Sequence, residues 1–305
     1  MRNRSGLEEQ FVPRWGEDLK FSEELDDPIG DLVHSPQERL VHRYPDRLLV
    51  LTTDRCFRYC RFCFRRHWTG RGLARFTEED RQRLETYLVQ HSEVREVILS
   101  GGDALTLPDE DLFPLLSLIR SLGRMVRLST RTASLAPKRV THELLERLEA
   151  LGGIWWIHHV NHPDELHQGF QQTVKKLFQA GVAQVSQTVL LSKLNDQPTI
   201  LLNLFEQLAL LGIKPYYLFY TDLASGTRSW RTSLDRALEI WQEMKLKASR
   251  LVLPTFAVDL PGGKGKVEVE ASLLSSDERG WTFRAPDGSL VLYPRSDDLS
   301  KERST

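Results

Sequence analysis

From Leu48 onward the chain repeats one unit: a short apolar, β-type run, then a helical pattern of roughly 12–18 residues, then the next run. Gly123, Gly152, Gly181 and Gly212 each stand just before a run, where a helix closes on a residue of positive φ. Strands alternating with that much helical sequence are the signature of βαβ units on a parallel sheet, since parallel neighbours need a crossover of that length. The expected strands are 48–53, 95–100, 125–130, 154–160, 183–191 and 215–220. Helix starts support the pattern: Thr77-Glu78-Glu79-Asp80 has the form of a capping box, and Asp109, Glu110 and Asp111 put acids in a first turn. Six units are two short of a closed (β/α)8 barrel. The expected fold is therefore α/β, a partial (β/α)6 barrel over 46–250, with its active site at the C-terminal ends of the strands.

Two flanking regions depart from the repeat. Residues 1–45 are charged and turn-rich, with Asp27-Pro28-Ile29-Gly30-Asp31 and Ser35-Pro36, and are expected to form an N-terminal helical extension. Residues 251–305 are expected to form a strand entering a glycine-rich loop, Pro261-Gly262-Gly263-Lys264-Gly265-Lys266, then a β-hairpin about Pro286-Asp287-Gly288 and a frayed tail. Basic and acidic residues nearly cancel, 41 against 42, which gives no electrostatic ground for a nucleic-acid or membrane surface and points to a small-molecule partner. The first 20 residues lack the apolar stretch of an export signal, so a cytoplasmic location is expected.

The 3 cysteines of the chain all lie in one stretch right after the first strand, Cys56, Cys60 and Cys63. A C-x3-C-x2-C spacing with no other cysteine is no disulfide framework; it reads as a metal site. Three thiolates can hold three irons of a [4Fe–4S] cluster and leave the fourth iron open to a substrate or cofactor. The alternative is zinc, with His67 completing a closed Cys3His set.

The cysteine motif with Phe62 before its last cysteine resembles the cluster loop of radical S-adenosylmethionine (SAM) enzymes, and Ser100-Gly101-Gly102-Asp103 resembles their SAM-binding glycine motif. The resemblance narrows further. His42-Arg43-Tyr44-Pro45-Asp46-Arg47, Cys63-Phe64-Arg65-Arg66-His67, Asn161-His162-Pro163, Gln187-Thr188-Val189-Leu190-Leu191, Pro215-Tyr216-Tyr217, Asp222-Leu223 and Asp259-Leu260-Pro261-Gly262-Gly263 are together similar to the lysine 2,3-aminomutase family, in the same order from about Asp27 to Lys266. A branch that makes β-lysine for attachment to elongation factor P is also close.

That resemblance implies a [4Fe–4S] cluster on Cys56, Cys60 and Cys63, SAM on the open iron, and pyridoxal 5'-phosphate (PLP) as carrier of the migrating nitrogen. It implies SAM and PLP contacts from Ser100, Gly101, Gly102, Asp103 and Gln187, and PLP phosphate contacts from Arg43 and Arg47. The covalent PLP lysine is implied at Lys266, with Lys264 as competitor. Arg65 is implied to hold the substrate α-carboxylate, and Asp222 and Asp259 the far ammonium of lysine. An electron donor such as flavodoxin or ferredoxin and a homo-oligomeric assembly are implied as well. Two departures stand out: Ala104 where proline is common, and Phe219 or Tyr220 only loosely matching a tyrosine near Asp222. His158, His159 and His162 lie at a strand end, where they read either as ligand contacts or as core histidines.

Overall fold

The computed structural model describes residues 4–73 and 75–295. Nine strands form one sheet in chain order: β1 (Leu40–Tyr44), β2 (Arg47–Thr53), β3 (Glu96–Gly101), β4 (Met125–Thr130), β5 (Ile154–His159), β6 (Ala183–Val189), β7 (Lys214–Phe219), β8 (Thr255–Leu260) and β9 (Gly265–Glu268). The six expected strands are β2 to β7, paired in parallel as a partial barrel. The strand ahead of the glycine-rich loop, β8, joins β7 in parallel and adds a seventh parallel strand to the barrel. Its alternation explains this: Phe256 and Val258 are buried in the outer core, while Thr255, Ala257 and Asp259 face the barrel mouth.

The edges are antiparallel. The extension is less helical than expected, with one short helix at Gly6–Glu9 and a 3-10 turn at Leu32–His34 among the described residues. Its last residues form β1, which pairs with β2 through Leu40↔Val50, Val41↔Leu49 and Tyr44↔Arg47. At the other edge β9 folds back on β8.

The helices between the strands cover the outside, and the longer ones bury an apolar stripe. In His142–Leu151, Leu144, Leu145 and Leu148 face the core, the Thr141 hydroxyl caps the start, and Gly152 ends it at φ 58°. Leu148 is only 1% exposed, so truncating it to alanine costs about 2–5 kcal/mol. A three-stranded sheet, β10 (Leu273–Ser276), β11 (Gly280–Arg284) and β12 (Leu290–Pro294), contains the expected hairpin. Its Trp281, Phe283 and Tyr293 join the core, and the Tyr293 hydroxyl donates to the carbonyl of Thr221 at 2.6 Å. The hairpin thereby anchors the loop that carries Asp222. Apart from Arg295 itself, the expected tail lies outside the described residues. No helix among the described residues is long and apolar enough to cross a membrane.

Candidate active site

One cavity of about 510 Å³ opens at the carboxyl ends of the strands, and every expected site residue lines it: the three cysteines, Arg43, Arg47, Arg65, Ser100 to Asp103, Gln187, Asp222, Asp259 and Lys266. Two glycines bring its first wall together. Gly101 takes φ 109°, and a Cβ on it would stand 2.5 Å from the Thr53 carbonyl oxygen. A Cβ on Gly102 would stand 2.1 Å from the Arg55 carbonyl oxygen, so only glycine lets the turn after β3 lie against the start of the cysteine loop. Backbone bonds then join the two, Gly102 N–H to Thr53 at 2.6 Å and Asp103 N–H to Arg55 at 2.8 Å. Phe62, 6% exposed, plugs the loop into a small core with Leu191, Leu194 and Trp230.

Asp103 does not offer a free carboxylate. It accepts from the Thr130 hydroxyl at 2.7 and 2.8 Å, from Arg131 N–H at 2.9 Å and from Leu105 N–H at 3.1 Å. Its side chain ties the turn after β3 to the end of β4.

Two of the thiols, Cys56 and Cys63, sit in a setting that disfavours their charged form. Burial and then the neighbouring Cys63 push Cys56 up, and burial followed by Cys60 pushes Cys63 up to about 11. Arg131 engages the third thiol. Its Nη1 donates to Cys60 Sγ at 2.9 Å, while Nη2 donates to Glu165 at 2.7 Å and to Gln10 Oε1 at 2.8 Å. Gln10 and Glu165 are both fully buried. Gln10 comes from the N-terminal extension, which thus reaches the cysteine loop directly. Of the three histidines, His159 lines the cavity, held neutral with its pKa lowered to about 3 by burial and then by Arg131. His158 is a core residue bonded to Gln184, and His162 caps its own 3-10 turn.

At the far end the strand register brings opposite charges together. The turn at Gly262 to Gly265 folds β9 onto β8 so that Lys266 is the direct partner of Asp259. Lys266 Nζ lies 3.8 Å from Asp259 Oδ2 and 4.7 and 4.3 Å from the ring centres of Tyr217 and Phe219. Lys264 points outward and pairs with Asp287 at 3.3 Å, both roughly half exposed. Burial and then the adjacent Asp259 push Asp222 up to about 8, against the pull of Lys266 and Arg65. Arg65, 6% exposed, donates from Nε to Asp31 at 2.8 Å and from Nη1 to Ser100 Oγ at 3.0 Å.

Residues 50–202 match the Radical SAM superfamily. The L-lysine 2,3-aminomutase of Clostridium subterminale is 36% identical over 290 residues, 94% of this chain and 70% of that protein. The chain belongs to the lysine 2,3-aminomutase family of radical SAM enzymes. The L-lysine 2,3-aminomutase of Fusobacterium nucleatum is 32% identical over 303 residues, 98% of this chain and 71% of its relative. A glutamate 2,3-aminomutase of Clostridioides difficile is 34% identical over 277 residues, 90% of this chain and 66% of that one. Among solved structures, Streptococcus suis SuiB bound to S-adenosylmethionine shares the fold, with a TM-score of 0.56 at 14% identity over 71% of this chain and 51% of SuiB.

As a radical SAM aminomutase the chain is an isomerase that uses a [4Fe–4S] cluster and SAM. The donor set fits the cluster: three thiols on one cavity wall, with a buried guanidinium at Cys60 to stabilise thiolate charge. His67, the fourth ligand that zinc requires, does not line the cavity.

Asp31, Gln10, Glu165 and the role of Arg131 are absent from the sequence reading of the site. Asp31 stood in plain view in a turn motif, but a turn is where aspartate is ordinary. Gln10 and Glu165 carry no motif; only burial at 0% singles them out.

Proposed function

We propose that this chain is a PLP-dependent lysine 2,3-aminomutase that moves the amino group of L-lysine from C2 to C3. One observation carries the reading: the cavity is lined by two carboxylates, Asp222 and Asp259, and by the guanidinium of Arg65 from the cysteine loop. That pattern suits an amino acid with a carboxylate at one end and a cation at the other. A glutamate side chain would set an anion against two carboxylates, at about 4 kcal/mol per pair at 4 Å and intermediate polarity. Asp222 is mostly uncharged below about pH 8, so one such pair remains and glutamate is disfavoured by a factor of order a thousand.

The cluster and SAM supply the electron and the hydrogen-abstracting radical, and PLP supplies the carrier for the migrating nitrogen. Protein groups position and shield. Lys266 is the covalent PLP lysine, since it faces the cavity while Lys264 is spent on Asp287. Arg43 and Arg47, on paired strands at the cavity wall, supply cations for the phosphate. Ser100, Gly101, Gly102 and Gln187 contact the cofactors, and Arg65 turns the substrate carboxylate toward the cluster. Tyr217 and Phe219 wall the lysine side chain from water. A cytoplasmic location, an electron donor such as flavodoxin or ferredoxin and a homo-oligomer complete the proposal.

The test is anaerobic incubation with SAM, PLP, a reductant and, separately, L-lysine, L-arginine and L-glutamate. β-Lysine formed from lysine supports the reading. Turnover of glutamate alone refutes the assignment of Asp222 and Asp259, and turnover of arginine alone moves the substrate to the longer cation.

A further inference from the structure

A further acid, Asp31, lines the cavity, and the proposed reaction gives it no task. Asp31 is 5% exposed and stands next to Arg65, the residue proposed to bind an anion. An acid there weakens the arginine's attraction for a carboxylate, so its presence needs another reason.

Its geometry supplies one. Asp31 Oδ2 accepts the Arg65 Nε–H at 2.8 Å, and Oδ1 lies 3.8 Å from Arg43 Nη2. The other guanidinium nitrogen, Arg43 Nη1, is 3.6 Å from Asp259 Oδ1, and Asp259 Oδ2 is 3.8 Å from Lys266 Nζ. Charges thus alternate along the wall as Arg65, Asp31, Arg43, Asp259 and Lys266, from the cysteine end to the ammonium end. Asp31 is itself held stiffly: its N–H and that of Leu32 donate to the Asp27 carboxylate at 2.9 and 2.8 Å. The same turn packs backbone to backbone on the glycine-rich loop. A Cβ on Gly30, at φ 69°, would stand 2.5 Å from Gly263 Cα, and the His34 ring bonds the Gly263 carbonyl at 2.8 Å.

We propose that Asp31 is a positioning residue that fixes the Arg65 guanidinium and, through Arg43, sets its reach to Asp259, so that substrates are selected by the distance between carboxylate and terminal ammonium. This rests on the proposed role of Arg65. A free arginine side chain samples many rotamers, and a bond at Nε removes that freedom before substrate arrives.

The test uses the enzyme reconstituted with cluster and PLP, and reads ligand affinity from the change in PLP absorbance. The ligands are L-lysine, the one-methylene-shorter L-ornithine, and 1,5-diaminopentane, which lacks the carboxylate. Asp31→Ala is expected to weaken L-lysine about tenfold, the loss of one hydrogen bond to a charged group. The diaminopentane affinity should stay unchanged, the preference for lysine over ornithine should shrink, and Asp31→Glu should restore both lysine affinity and preference. Asp31→Val makes the same measurement should the alanine variant not fold, with melting temperature as the check. Equal weakening of lysine and diaminopentane would overturn the proposal, because a general loss of order does that. Wild-type discrimination retained in both variants would overturn it on its own account. A wild type that does not prefer lysine to diaminopentane would overturn it through the Arg65 assignment.

Discussion

The ammonium of Lys266 stands 3.8 Å from the carboxylate of Asp259, its direct partner across an antiparallel strand pair. Two acids close together in a buried site repel, and a cation between them relieves that cost. Lys266 provides this relief while no ligand is bound. Were Lys266 to hold PLP as proposed, its nitrogen would be taken up in that bond and the two aspartates would be open to the terminal ammonium of a substrate.

Lys266→Ala is expected to abolish the PLP adduct that borohydride traps, whereas Lys264→Ala should leave it intact. Intact-mass measurement after reduction decides. Retention of the adduct by the Lys266 variant would move the role to another lysine.

Asp222 should make substrate capture depend on pH. With its pKa pushed up to about 8 by burial and by Asp259, the group is mostly uncharged below that pH and cannot pair with an ammonium. Log kcat/KM for lysine is expected to rise by about one per pH unit up to about 8, then flatten. Asp222→Asn should remove the slope. The same shift acts on folding: between the ordinary carboxylate range and about 8 the folded state holds a proton that the unfolded state has lost. The stability this group contributes is therefore full at low pH and lost as pH rises through that window, and chemical denaturation of the ligand-free protein across pH 5 to 8 measures it.

Arg131 donates to Cys60 Sγ at 2.9 Å. A hydrogen bond and a positive charge at a cluster sulfur stabilise the reduced cluster. Replacing Arg131 with methionine is expected to make the cluster potential more negative by an amount on the order of tens of millivolts. Gln10→Ala, which removes one of the groups holding Arg131, should shift it the same way by less. Redox titration followed by electron paramagnetic resonance reads both, and an unchanged potential in the methionine variant refutes the link.

The N-terminal extension should be indispensable to folding. Glu24 accepts from Arg231 Nη2 at 2.6 Å, with side chains 1% and 0% exposed. Removing one partner leaves the other charge buried, so Glu24→Ala is expected to cost about 3–5 kcal/mol in urea denaturation. A loss under 1 kcal/mol, as for an exposed pair, would contradict this.

Much of the barrel was legible because its rules are local. Alternation of apolar residues, the glycines Gly123, Gly152, Gly181 and Gly212 that close four helices and a capping box at Thr77 act through consecutive residues, and each appears where those residues require it. The cysteine loop and the Ser100 to Asp103 turn were legible for the same reason. The strand β8 was harder to place, since joining β7 instead of standing apart depends on which face Phe256 and Val258 can bury, and that core exists only once the helices have packed.

What the sequence determined by itself was the parallel α/β architecture and the cysteine cluster, because these follow from side-chain type and short spacings, while the other candidate site residues were named through the resemblance to the lysine 2,3-aminomutase family. It left Lys264 and Lys266 as rivals two positions apart. The tertiary structure decided between the directions they take: the register of β8 on β9 sets Lys266 against Asp259 inside the cavity, while Lys264 in the turn reaches Asp287 outside. It likewise brought Asp31 to Arg65 and Gln10 to Arg131. Those meetings join residues far apart in the chain, and strand pairing and core packing determine which of them come within bonding distance.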